Sequence, residues 1–331
     1  MGERPGGFTG GITPGDSLPA LIEMNNQSNR WLHRFACLLA FATFLLIGAG
    51  ASVTSHRAGL AVPDWPTTYG RFMFSFPISK WVGNIRYEHV HRLIASVVGM
   101  LTVALTFCLV WKEPRRWVRR LGIAALGVVI AQGILGGLTV KLMLPPPISI
   151  AHASLAEAFF CITMALALVT SERWIRASPA SETVNAGLIR RFALTSTIAI
   201  YLQIILGAAI RHSESGVIAH IVGAAVVFGY VIASVVMVLF TREQKEFLRP
   251  AVLLLGLVTA QIALGLVTLM VRMPKNANGQ LSAVQIVVPT LHLALGALIL
   301  ATSLAITLKA YRFLALPREE PGLPFAAGAL S

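Results

Sequence analysis

Apolar residues run in long blocks separated by short polar joins. Blocks of about 20 mostly apolar residues, the length that crosses a bilayer core, occupy approximately residues 33–53, 90–111, 119–140, 150–170, 190–210, 217–240, 250–271 and 287–308. The pattern predicts eight transmembrane helices. Prolines punctuate the joins: Pro114 after the second block, Pro145-Pro146-Pro147 after the third and Pro250 opening the seventh. Ala49-Gly50-Ala51 imitates a signal-peptidase site, but the preceding polar stretch is too long and glycine-rich for a signal peptide. The first block therefore reads as a retained helix behind a polar tail, residues 1–30.

Composition agrees. The chain has 331 residues, 56% hydrophobic and 12% charged, with a mean hydropathy of +0.73. A soluble domain is nearer ~45–50% apolar and ~25% charged, so a soluble enzyme and a disordered chain are both excluded. Three cysteines, Cys37, Cys108 and Cys161, all lie in apolar blocks; they read as packing residues and exclude a disulfide scaffold. The net charge of +13 does not point to nucleic acid, because the basic residues cluster in joins between helices. With the N-terminus inside, eighteen of the 27 Lys and Arg fall on the cytoplasmic side, as the positive-inside rule requires. Both termini are expected in the cytoplasm, and the membrane is expected to be a prokaryotic cytoplasmic membrane.

Two segments match. Gln132-Gly-Ile-Leu-Gly136-Gly-Leu-Thr139 in the third block and Gln261-Ile-Ala-Leu-Gly265-Leu-Val-Thr268 in the seventh share the pattern Q-x3-G-x2-T. Each precedes a proline-containing outer loop and a helix with an early histidine. Four helices per repeat keep the orientation, so the halves would be parallel repeats. The expected fold is an all-α integral membrane protein, eight helices in two pseudo-symmetric four-helix bundles. The first bundle spans residues 31–175 with a long outer loop, 54–87; the second spans 176–312, and 313–331 form a tail.

The eight histidines are the informative chemistry. His33, His56 and His89 sit at helix ends and read as interfacial, and His212 lies in an outer turn. His91, His152, His220 and His292 each fall in the opening turns of an even-numbered helix. All four therefore reach a similar depth near the outer leaflet, two in each half. An ionisable side chain there points to a functional site. Zinc and copper sites draw ligands close in sequence or add cysteine or carboxylate, which these lack. A di-iron site would use Glu88 and His91 as Glu-x-x-His but needs several more inward carboxylates, and Glu157 is almost the only other one. Two facing imidazoles per bundle are what a six-coordinate haem requires, with clearance supplied by Gly99, Gly136, Gly137, Gly223, Gly265 and Gly296. One haem per half follows: His91 with His152, and His220 with His292.

The halves differ. Glu88 lies one turn outward of His91 on the same helix face and has no counterpart near His220. It is a candidate proton acceptor or charge stabiliser, or else the partner of Arg92 four residues on. The outer loop with Pro63-Asp64-Trp65-Pro66 caps only the first half. Arg57, Arg86, Arg92 and Arg211 read either as partners of haem propionates or as interfacial anchors.

These segments, namely Gly59 to Pro66, Glu88-His89-Val90-His91-Arg92, Gln132 to Thr139 leading to His152, then His220 and Pro289-Thr290-Leu291-His292, resemble the haem A synthase family over about residues 30–310. The resemblance implies an enzyme that oxidises a ring methyl of haem O to a formyl group, giving haem A for terminal oxidases. It implies that His91 and His152 flank haem O or haem A and that His220 and His292 hold haem b. Haem b would pass electrons while the methyl is hydroxylated in successive steps, with Glu88 as the catalytic glutamate. Contacts with a haem O synthase and a terminal oxidase, membrane lipid around the helices and a homo-oligomer are the partners it suggests. Many members carry an outer-loop cysteine pair; here the stretch after the motif reads Thr67-Thr68-Tyr69-Gly70, so a thiol mechanism is excluded. Val53 to Arg57 also departs from the family pattern, leaving His56 without an assigned role. The alternative reading is a di-haem b electron-transfer protein linked to quinol, which explains the histidines but not Glu88 or the loop. A transporter would place its site near the midplane, unlike these histidines.

Overall fold

A computed structural model describes residues 29–177, 181–182, 185–240, 244–271 and 281–316. The expected tails, 1–30 and 313–331, fall mostly outside them. Among the described residues eight helices are long and apolar enough to cross a membrane: α1 Arg30–Ser55, α2 Asn84–Lys112, α3 Arg116–Lys141, α4 Pro146–Val169, α5 Ala186–Ser213, α6 Val217–Leu239, α7 Gln244–Val271 and α8 Ala283–Phe313. The chain is an all-α integral membrane protein. A single helical turn, Glu172–Ile175, follows α4, and a two-residue parallel pairing joins β1 Ser181–Glu182 to β2 Leu314–Ala315.

Local chemistry sets the helix starts. Asn29 caps α1 by accepting the Leu32 amide, Pro146 opens α4 with its φ already helical, and Ser282 and Gln285 form a capping box on α8. Helix α2 begins six residues before its apolar block because its polar first turns, Glu88, His89 and Arg92, are buried under the loop that precedes them.

Helices α1 to α4 form a closed ring of neighbours, α1 packing on α2, α2 on α3, α3 on α4 and α4 back on α1. Helices α5 to α8 repeat the arrangement. The rings meet along α1–α8, α4–α5 and α4–α8. Each ring has its own core: Leu39, Val98, Leu105 and Leu166 in the first, Ile200, Val231, Leu254 and Leu300 in the second. Ile47, Phe160, Ala297 and Ala301 fill the seam. Large apolar side chains such as Phe107, Met270 and Phe240 face outward, as a lipid-facing surface requires.

Residues 56–83 connect α1 to α2 and cover one end of the first ring, here termed the loop end. They contain two short 3-10 turns, Met73–Ser75 and Ile78–Lys80. The α3–α4 and α5–α6 joins lie at the same end, and among the described residues only the first ring carries a long cover.

Candidate functional site

Each of the four histidines on the even-numbered helices rests against a glycine of the preceding helix. A Cβ built at Gly50 would come 3.1 Å from His91 Cε1, at Gly136 3.1 Å from His152 Cε1, at Gly207 3.2 Å from His220 Cε1 and at Gly265 3.1 Å from His292 Cε1. A methyl at any of these positions would push the imidazole aside. The same seat is therefore built four times, once per helical hairpin, near the loop end.

A second element recurs. Gln132 donates its side-chain amide to the His152 carbonyl (2.9 Å), Gln203 to that of His220 (2.7 Å) and Gln261 to that of His292 (2.9 Å). Each glutamine lies four residues before its seat glycine. The sequence pattern had exposed two of these copies; Gln203-x3-Gly207 in α5 is a third, without the threonine. The repeating unit is thus a two-helix hairpin, finer than the four-helix half expected.

In each ring the histidine-bearing helices occupy opposite corners, so their imidazoles approach across the centre. The ring centres of His220 and His292 are 6.4 Å apart at 69°. Two imidazoles on opposite sides of one metal, with bonds of about 2 Å each, place their ring centres about 6 Å apart. His91 and His152 lie within electrostatic range of each other. Nδ1 of His91, His152 and His292 is buried without a short hydrogen bond, each ring facing instead the backbone of the preceding helix at Leu46, Gln132 and Gln261. Among the described residues no group of three or more His, Cys, Asp or Glu side chains gathers for a bare metal ion. Paired imidazoles on small-residue seats fit a flat macrocycle that brings its own equatorial ligands.

The glycine expectations need correction. Gly136 and Gly265 seat imidazoles, but Gly223 and Gly296 make room for the Gln203 and Gln261 side chains, and a Cβ at Gly99 would meet nothing within 4 Å. Gly50 and Gly207 were missed because neither sits in the matched motif. Gly137 has a different neighbour: a Cβ there would lie 2.7–2.9 Å from the Trp65 indole. The loop therefore reaches across the first ring and lays Trp65 on α3, next to the glycine that seats His152.

Glu88 and Arg92 fasten that loop. The Glu88 carboxylate is buried; Oε1 pairs with Arg92 Nη2 (2.5 Å) and Oε2 accepts the Val62 amide (2.8 Å). Arg92 also donates to the carbonyls of Asp64 (2.6 Å), Thr67 (3.1 Å) and Val62 (2.8 Å). Its terminal nitrogens are thus engaged with Glu88 and the loop, the ion-pair role weighed for it. Asp64 organises the tip. Burial would raise its pKa, but the amides of Gly70 and Tyr69 (both 2.8 Å) and the Thr67 hydroxyl hold the carboxyl below its usual range. Those bonds support Tyr69, which sits at φ 50, a left-handed conformation costly for a residue with a side chain.

His89, expected at the interface, is fully buried instead, packed between Phe76 and Trp81 and bonded to Thr68 Oγ1 (3.3 Å). It is the core of the loop. His56 stacks on Tyr87 with ring centres 3.6 Å apart. Arg86 bonds to the Tyr87 hydroxyl. Arg211 crosses the seam, donating to Ala51 O and Ser55 Oγ (2.7 Å each), and Ser55 Oγ bonds to Thr290 Oγ1 (2.8 Å) two residues before His292.

Comparison with known proteins adds an independent line. Residues 78–219 match the COX15-CtaA family, described as cytochrome oxidase assembly protein. A haem A synthase of Lysinibacillus sphaericus is 28% identical over 58% of this chain and 62% of that protein, and one of Brucella anthropi is 32% identical over 41% and 38%. A haem A synthase of Rhizobium etli is 22% identical over 80% of this chain and 88% of its own length. The chain is similar to haem A synthases over these stretches. It covers less than two thirds of the first two of these relatives. The family match takes in Glu88, His91, Arg92, His152 and Arg211 but stops one residue short of His220. The Rhizobium similarity extends over most of the chain.

Proposed function

We propose that the protein is a haem A synthase, a membrane oxidoreductase that converts a ring methyl of haem O into the formyl group of haem A. The observation that carries this reading is the fourfold imidazole-on-glycine seat, with a loop fastened through Glu88 and Arg92 over the first pair and, among the described residues, no counterpart over the second. A symmetric electron carrier has no use for that difference. His91 and His152 would hold the substrate, haem O, under the loop. His220 and His292 would hold haem b, which supplies one-electron redox chemistry when bound.

The chain's own groups do the rest. Gly50 and Gly136 set the depth of the two substrate-side imidazoles. Trp65, lying on Gly137, and the residues around His89 exclude water from the loop end. Glu88 is the acidic group one turn from His91, held in place by Arg92 and the Val62 amide, and we assign it the charge-stabilising or proton-accepting role at the substrate edge. Arg211, tied to Ala51 and Ser55 at the seam, would offer its remaining N–H groups to a propionate. The loop end would face outward, with both termini in the cytoplasm of a prokaryotic cell. An enzyme that supplies haem O and an oxidase that takes up haem A would be its partners.

The test is pigment analysis of the purified protein. Haem b together with haem O or haem A, the latter rising when a haem O synthase is co-expressed, is the expected result. Two equivalents of haem b, unchanged by that co-expression, would instead establish the di-haem electron carrier.

A further inference from the structure

Three hairpins clamp their histidine with a glutamine and one does not. Gln132, Gln203 and Gln261 each tie the histidine's backbone carbonyl to the neighbouring helix. The position four residues before Gly50 is Leu46, whose backbone faces the His91 ring as in the other hairpins but whose side chain has no donor for the His91 carbonyl. The opening turns of α2 are held from above instead, through Glu88 and Arg92 to Val62, Asp64 and Thr67 of the loop.

We propose that His91 is the releasable ligand of the substrate pair, and that the loop takes over from the missing glutamine as the part that sets its position. This rests on the reading above that His91 and His152 hold the substrate haem. A substrate macrocycle has to enter and leave, so one of its two axial bonds must open readily. The imidazole whose turn lacks a side-chain clamp to the adjacent helix is the one that opens. The permanent cofactor of the second ring has a glutamine behind both its histidines. Leu46 acts through the backbone of His91 and is a positioning residue.

Carbon monoxide reads this directly. It binds ferrous iron only where an axial imidazole has left, the iron–nitrogen bond breaking as the iron–carbon bond forms. In the reduced, haem-loaded full-length protein, carbon monoxide should bind at the substrate haem and not at the other. Leu46→Gln should slow that binding about five-fold, the effect of one added hydrogen bond, with haem content unchanged. Gln203→Leu should bring carbon monoxide binding to the second haem, and this variant decides the matter if Leu46→Gln does not fold. An unchanged rate in Leu46→Gln with haem intact, or no reaction at the second haem in Gln203→Leu, would overturn the inference while leaving the site assignment standing. Full haem retention in His152→Ala would overturn the site assignment, and the inference with it.

Discussion

The third and seventh helices show what separates the two halves. Both carry Gln-x3-Gly, and both glycines seat an imidazole at the same distance. The next residue differs: Gly137 in α3, Leu266 in α7. Gly137 lies under Trp65, whereas Leu266 is half exposed and no described loop residue lies on it. One missing side chain thus records the presence of a cover. The lesson is that the conserved geometry of a repeat marks what both halves hold, and its departures mark what only one half does.

The largest effect should come from removing a ligand. His220→Ala is expected to lose the haem of the second ring and keep that of the first, halving the haem-to-protein ratio. Retention of both would break the comparison outright. Next is the fastening of the loop. Glu88→Ala leaves Arg92 buried without its partner, a change that typically costs about 3–5 kcal/mol, and should release the loop as well as abolish formyl production. Glu88→Gln keeps a group that accepts the Val62 amide, so it should hold the loop while still failing in turnover. Protease accessibility of residues 56–83 separates the two.

Gly137→Leu gives the first half the second half's residue. Overpacking of about 1–3 kcal/mol should displace Trp65 and raise its fluorescence quenching by acrylamide. The comparator, Leu266→Ala at the exposed position of the second half, should stay within about 0.5 kcal/mol. The smallest effect is a pH response. Asp64 has a folded pKa below its unfolded one, so its contribution is present above the unfolded value, about 4, and is lost as pH falls through the folded one. The protection factors of the Tyr69 and Gly70 amides, exchange rates corrected for the intrinsic effect of pH, should therefore fall on acidification, and Asp64→Asn should flatten that profile.

Much of this was legible in the chain. The apolar blocks gave eight helices because a bilayer imposes length and hydropathy on each span, and their placement put four histidines at one level. The loop announced itself by its length and aromatic content. What stayed hidden was whatever depends on lateral neighbours. That Gly137 serves Trp65, and that His89 is a core residue, follows from a contact spanning more than 50 positions in one case and 21 in the other. The Glu88–Arg92 pair was visible as an i,i+4 spacing; that Arg92 also gathers three loop carbonyls was not. The third glutamine was in plain sight at Gln203, but without the following threonine it fell outside the matched pattern.

Four near-copies of one seat within a single polypeptide make the molecule its own reference standard. A substitution at Gly50 can be judged against the same change at Gly136, Gly207 and Gly265, each facing an imidazole and all in one preparation. Poor expression, detergent damage or incomplete pigment loading would strike the four alike. A difference confined to one of them belongs to that hairpin and to nothing else.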